Sequence, residues 1–189
     1  MTTKEKKGNA TTKEPLRIWT VGHSTRSAEE FNEILAAHEI EALVDVRSFP
    51  GSRRYPQFNK QQLATSLPAN GVLYFHLLQL GGRRPARKDS MNTAWKNASF
   101  RGYADHMDSE EFRQGIERLL EIAGQSRTAI MCAEALWWRC HRSLVSDFLK
   151  ARGVEVIHIL DATHEQQHPY TSAARIVDGE LTYAGLLVG

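Results

Sequence analysis

Apolar positions along the chain fall into two alternating rhythms. Short β-rich runs at Ile18–Gly22, Leu43–Arg47, Val72–Leu78, Thr128–Cys132 and Val154–Leu160 predict five strands. The stretches between them carry helical spacing. Ser27-Ala28-Glu29-Glu30 is a capping box followed by Phe31, Ile34, Leu35 and His38 on one face. Asn59 with Gln62 predicts the start of a short helix ending near Leu67, with Gly71 in the turn after it. Asp108 and Glu111 are expected to cap a helix whose inner stripe is Phe112, Ile116, Leu119, Leu120 and Ala123. A last helix is expected from about Cys140 to Arg152, stopped by Gly153. Residues 79–107 show no period and hold Gly81, Gly82 and Pro85. They predict a long loop with a little helix around Asn92–Asn97, of the kind that serves as a lid or binding loop.

Strands alternating with helices define the expected fold class: α/β, a single domain over residues 16–189, with a mostly parallel sheet of about five strands and helices on both faces. Residues 1–15 are polar and aperiodic, and a disordered tail is expected there. The apolar runs are strand-length, so no membrane span is expected. Residues 1–14 lack the apolar core of a signal peptide, and two cysteines are too few for a disulfide scaffold. Together these predict a cytoplasmic, thiol-reducing setting.

Charge changes the picture only when counted by segment. The net charge is +2, yet Arg47, Arg53, Arg54, Lys60, Arg83, Arg84, Arg87 and Lys88 fall in a 42-residue stretch that holds no acid. Such a stretch makes a positive surface if its clusters converge, and a solvated, neutralised face if acids from elsewhere meet it. Phe49, Tyr55, Phe58, Trp95, Phe100 and Tyr103 lie in and just after it, with Trp137 and Trp138 further on. Arginines among flat aromatics suit a phosphate with a stacked base, although aromatics also anchor loops to a core.

In an open α/β sheet, ligands bind beyond the carboxyl ends of the strands. Those ends carry His23, Ser24, Thr25 and Arg26, then Asp45, Arg47 and Ser48, then Gln79, Gly81 and Gly82, then Cys132 and Glu134, then Asp161. The sharpest feature is Cys132-Ala-Glu134, five residues, and Cys140-His141-Arg142 at a helix start. A helix N-terminus lowers a nearby thiol's pKa and attracts anions, and Arg139 and Arg142 add to that field. Cys132 is thereby expected as nucleophile, with Glu134 as acid or base and His141 tuning the pair. The plainer reading packs Cys140 and His141 inward beside Leu144, Val145 and Phe148. A metal is the lesser option, since no C-x-x-C or H-x-x-x-H pair is present and adjacent Cys140 and His141 rarely share one zinc. No metal and no other cofactor is expected.

These motifs resemble the family catalogued as domain of unknown function 488, over Thr20 to Gly185. The resemblance is carried by Val21-Gly22-His23-Ser24-Thr25, Val44-Asp45-Val46-Arg47 with Pro50, Gly81-Gly82-Arg83, Phe100-Arg101-Gly102-Tyr103, Met131-Cys132-Ala133-Glu134 and Cys140-His141-Arg142. It implies that the strand-end residues form a shared pocket and assigns no activity. The chain is also distantly similar to rhodanese-like domains, with an Asp-x-Arg on a strand and a Cys at a strand end. The segment after Cys132 is longer than a rhodanese loop, and the residue six positions on is Trp138 rather than the arginine of a tyrosine phosphatase. Neither chemistry carries over.

The expectation is therefore an enzyme acting on an anionic, phosphate-bearing or nucleotide-like substrate. Cys132, Glu134 and His141 would be catalytic, with His23, Ser24, Asp45, Arg47, Arg83, Arg101, Tyr103, Cys140 and Arg142 binding substrate. The alternative is a non-catalytic nucleic-acid-binding module using the basic segment 47–103.

Overall fold

The strand at Arg17–Gly22 (β1) buries every residue after Arg17, the mark of a strand covered on both sides. The computed structural model describes residues 14–185. The expected disordered tail therefore lies largely outside the described residues, and Glu14 and Pro15 carry no regular element.

Four more parallel strands follow: Ala42–Asp45 (β2), Leu73–His76 (β3), Thr128–Cys132 (β4) and Glu155–Ile159 (β5). A sixth, Glu165–Gln167 (β6), runs antiparallel along β5 and closes the order β3-β2-β4-β1-β5-β6. A separate hairpin joins Arg175–Val177 (β7) to Glu180–Thr182 (β8). Among the described residues there are five α-helices: Ala28–Ala37 (α1), Lys60–Ala69 (α2), Ala98–His106 (α3), Glu110–Ala123 (α4) and Arg142–Ala151 (α5).

The pleat decides the layers. Trp19, Val21, Leu43, Ala129, Met131 and Ile157 face α1 and α2 through Phe31, Leu35, Leu63 and Leu67. Their strand neighbours Ile18, Val44, Ile130 and Val156 face the other way, onto Tyr103, Phe112, Leu119, Leu144 and Val145 of α3, α4 and α5. The α/β class with helices on both faces is thus the observed one. The register pairs Gly22 with Cys132 and Asp45 with Met131, so the carboxyl ends of β1, β2 and β4 finish nearly level. That common edge positions the site.

Several local expectations shift. Residues 98–106 form α3 where a loop was expected. Asn97 caps it by accepting from the Ser99 N–H, and Tyr103 and Ala104 bury against the core. Gly102 lets this helix approach the 84–86 backbone, where an added Cβ would fall 2.0 Å from the Arg84 carbonyl oxygen. Ser109, rather than Asp108, caps α4 through the Phe112 N–H. The Asn59 side chain accepts from the Ser52 N–H instead of capping α2. The last helix begins at Arg142, two residues after Cys140. Among the described residues, no helix is long and apolar enough to cross a membrane.

Candidate functional site

Two polar clusters occupy the carboxyl edge of the sheet. The first is built on the end of β2. The Arg47 guanidinium donates to both oxygens of the fully buried Asp45, at 2.9 Å to Oδ1 and 2.6 Å to Oδ2. It also donates to the Phe58 carbonyl at 2.8 Å and to His23 Nε2 at 3.1 Å. Because Arg47 can only donate, His23 Nε2 accepts, and Nδ1 carries the proton it gives to the Ser24 carbonyl. Burial and the neighbouring Arg47 charge lower His23 to about 4, so the ring is neutral. Tyr74 completes the set by donating to Asp45 Oδ2 at 2.7 Å; burial and that carboxylate raise its phenol well above the usual range. Arg47 and Asp45 are thus committed to each other, and little of the Arg47 charge is left for a substrate.

The second cluster lines a cleft of about 620 Å³ between the β2, β4 and α5 ends and the loops at 48–51 and 82–83. Gly22 brings the loop after β4 across the end of β1; an added Cβ there would meet the Glu134 carbonyl at 1.8 Å. Cys132 ends β4, and Cys140 and His141 enter α5, so strand end and helix start face one space. The Cys132 Sγ, Cys140 Sγ and His141 nitrogen lie within 4.8 Å of one another. Adjacency in sequence does not separate Cys140 from His141: Sγ and Nδ1 are 3.5 Å apart. His141 Nε2 lies 2.9 Å from the Val46 carbonyl, to which it donates, leaving the Nδ1 lone pair toward the sulfurs.

The two thiols are unequal. The hydrogen bond with Cys140 and then burial push Cys132 up. Burial would raise Cys140 as well, but the Cys132 hydrogen bond, the Arg142 charge and the Arg142 backbone N–H outweigh it and bring that thiol below its ordinary range. The depressed thiol is therefore Cys140, where the sequence pointed to Cys132. Arg142 itself does not reach the cleft. Its side chain is buried and donates to Thr20 Oγ1 at 3.3 Å and to the Glu134 carbonyl, and Nε finds no partner among the described residues. From Thr20 a buried chain runs through His158 (2.7 Å) and His168 (2.8 Å) to Asp147 (3.0 Å). The hydrogen bonds can all point one way, carrying the influence of the Arg142 cation to the Asp147 carboxylate.

Of the residues expected from sequence, Arg47, Arg83, Tyr103, Cys132, Glu134, Cys140 and His141 line the cleft. Tyr103 is buried in its wall, donating to the Leu80 carbonyl with its ring 4.9 Å from that of His141. His23, Ser24, Asp45, Arg101 and Arg142 do not line it. Ser24 accepts from His23, and Arg101 donates to the Trp95 carbonyl at 2.9 Å. The basic segment is partly neutralised: Arg47 pairs with Asp45, Arg84 with Glu111, and Arg87 with Asp105 and Asp108. Among the described residues, Arg53, Arg54, Arg83 and Arg139 have no acidic partner, and of these Arg83 and Arg139 line the cleft. Phe49, 73% exposed, lies at its mouth with the Arg83 guanidinium 5.9 Å from the ring centre. Arg139 was expected only to strengthen the helix-end field, and its place in Trp137-Trp138-Arg139-Cys140 was the signal for more. Asn97 and Ser99 also line the cleft, and no sequence signal pointed to them.

The fold and site define a class: an α/β protein with a thiol–imidazole cluster at the carboxyl edge of a parallel sheet, under a cationic rim. The chain belongs to the family described as Domain of unknown function DUF488, whose family model matches residues 27–149. That span contains every residue lining the cleft. No curated protein and no solved structure matches the chain.

Proposed function

We propose that the protein is an enzyme acting on a small anionic, phosphate-bearing substrate held in the cleft lined by residues between 47 and 141. One observation carries this reading: Arg83 and Arg139, free of acidic partners among the described residues, share a cleft with Cys132, Cys140 and His141. Unneutralised guanidinium groups bind phosphate oxygens by charge-assisted hydrogen bonds. The sulfur–imidazole cluster is where the reaction takes place, and the exposed Glu134 carboxylate in the same cleft carries protons to or from the substrate. Phe49 offers a free aromatic face at the mouth, which favours a nucleotide over a bare phosphate ester.

Calorimetric titration of the full chain with inorganic phosphate and with a nucleoside monophosphate tests the reading. Arg83→Ala and Arg139→Ala are each expected to weaken both ligands about 10-fold. Phe49→Ala should weaken only the nucleotide, and Glu134→Gln should leave binding intact while abolishing turnover. Absence of binding by either ligand, or wild-type affinity in the double arginine variant, overturns it.

A further inference from the structure

Three soft donors meet at the floor of the cleft from two elements. Cys132 is the last residue of β4, while Cys140 and His141 come from the turn into α5. The donor atoms lie within 4.8 Å of one another, and Cys140 Sγ is 3.5 Å from His141 Nδ1. In a tetrahedral zinc centre the sulfur and nitrogen ligands sit about 3.6 Å apart. One edge of the tetrahedron is thus already at coordinating separation. Resting on the reading of this cleft as the reactive centre, we propose that Cys132 Sγ, Cys140 Sγ and His141 Nδ1 bind one thiophilic divalent cation of the zinc type, leaving a fourth position open to the cleft.

The surroundings fit a ligating rather than a merely packed histidine. Nε2 is committed to the Val46 carbonyl at 2.9 Å, which fixes the tautomer and aims the Nδ1 lone pair at the sulfurs. Metal-bound histidines are held by the same kind of hydrogen bond. Gly82 keeps the space beside that atom clear, since a Cβ there would lie 2.8 Å from Nδ1. The backbone N–H of Arg142 reaches Cys140 Sγ at 3.5 Å, a weak donor to a sulfur that must be thiolate to coordinate. Binding releases whatever protons the two sulfurs hold, and two thiolates cancel the charge of a divalent ion. The centre so formed is neutral, which the buried Arg142 cation beside it tolerates.

Three protein donors and one open position is the pattern of a reactive zinc rather than a structural one. The open position faces the space lined by Glu134, Arg83 and Arg139. An oxygen of the bound anion, or a water activated by the metal, would occupy it.

The full-length, metal-free, reduced chain is titrated with Co(II) and then with Zn(II), reading thiolate-to-cobalt charge transfer and the visible bands of tetrahedral cobalt. One equivalent of cobalt, displaced by one of zinc, is expected. Cys132→Ser, Cys140→Ser and His141→Ala should each lower affinity at least about 100-fold. Gly82→Ala removes no ligand, and it should still weaken binding at least about 10-fold by pushing the imidazole aside. Circular dichroism of each metal-free variant checks that it folds, and Gly82→Ala carries the test where a cysteine variant does not. Absence of stoichiometric cobalt binding, or wild-type affinity in His141→Ala or Gly82→Ala, overturns the proposal. Phosphate titration of the same preparations separates the two readings. Phosphate binding without cobalt binding overturns the metal and keeps the anion cleft; cobalt binding without phosphate binding does the reverse.

Discussion

The Asp45–Arg47 cluster and the cleft lie at the same sheet edge, yet they differ in what their polar atoms have left to offer. Around Asp45, both carboxylate oxygens accept from Arg47, one of them also from Tyr74, and Arg47 spends further donors on His23 and Phe58. In the cleft, Arg83 and Arg139 have no acidic partner among the described residues and the Glu134 side chain stands exposed. A saturated cluster holds a fold together, because any change strands a buried charge. An unsaturated one costs the fold little and keeps its donors for a ligand. Both are polar residues gathered at the carboxyl edge of one sheet, and what separates them is the partners each group finds.

The largest expected effect comes from breaking the saturated side. Asp45→Ala leaves the buried Arg47 guanidinium and the Tyr74 hydroxyl without their acceptor. A loss of roughly 3–5 kcal/mol in urea unfolding is expected. Asp45→Ala combined with Arg47→Met should recover much of it, since no buried charge is then left stranded, while the Tyr74 hydroxyl still lacks its acceptor. A loss below about 1 kcal/mol would show that the pair is no scaffold and would dissolve the comparison.

Acid should find the same cluster. His23 is neutral in the fold, lowered from 6.5 to about 4 by burial first and by Arg47 after it. The unfolded chain binds the proton more readily, so the stabilisation is complete above pH 6.5 and is lost as pH falls from there to about 4, below which it changes no further. The size is on the order of 3 kcal/mol. His158, lowered to about 2, and His106 add their own acid sensitivity. The informative quantity is therefore the difference between wild type and His23→Asn, which should open across that window. Parallel stability curves for the two proteins would remove His23 from the cluster.

How far the sequence carried depended on burial. β1, β2, β4 and β5 were legible because apolar residues fill both faces, as in Thr128–Cys132, where every residue is buried. β6 and β7 were not: Glu165–Gln167 and Arg175–Val177 are wholly exposed, and backbone pairing with a few polar side-chain contacts, such as Trp137 to Gln166, holds them in place of apolar burial. α3 was hidden by Gly102, a poor helix former that is required by the close approach to Arg84. The site divides along the same line. The carboxyl edge and its residue types were readable from strand ends. Which arginines stay free was not, because Arg84 finds Glu111 and Arg87 finds Asp105 only after α3 and α4 fold back over the loop. Spacing was equally silent on how close Cys140 and His141 lie. Neighbours in sequence can point apart or together, and here the turn into α5 sets Cys140 Sγ and His141 Nδ1 3.5 Å from each other.

The smallest expected stability effect sharpens the comparison from the open side. Arg83 is exposed, holds a backbone φ of 56° and rests its guanidinium near the Phe49 ring. No buried group depends on it, so Arg83→Ala should change unfolding stability by less than about 0.5 kcal/mol. Shortening the side chain even removes an ordering cost, which offsets the weak attraction between the guanidinium and the Phe49 ring. The same substitution should strip away most of what Arg83 gives a bound phosphate. Stability and affinity therefore move apart here, whereas at Asp45 stability falls whatever is bound. Raising the salt supplies a second check on the same variant: wild-type phosphate affinity should fall with ionic strength more steeply than that of Arg83→Ala, because an exposed cation's attraction is screened. Equal salt slopes, or a stability loss at Arg83 comparable to that at Asp45, would mean that the two clusters are one kind of structure after all.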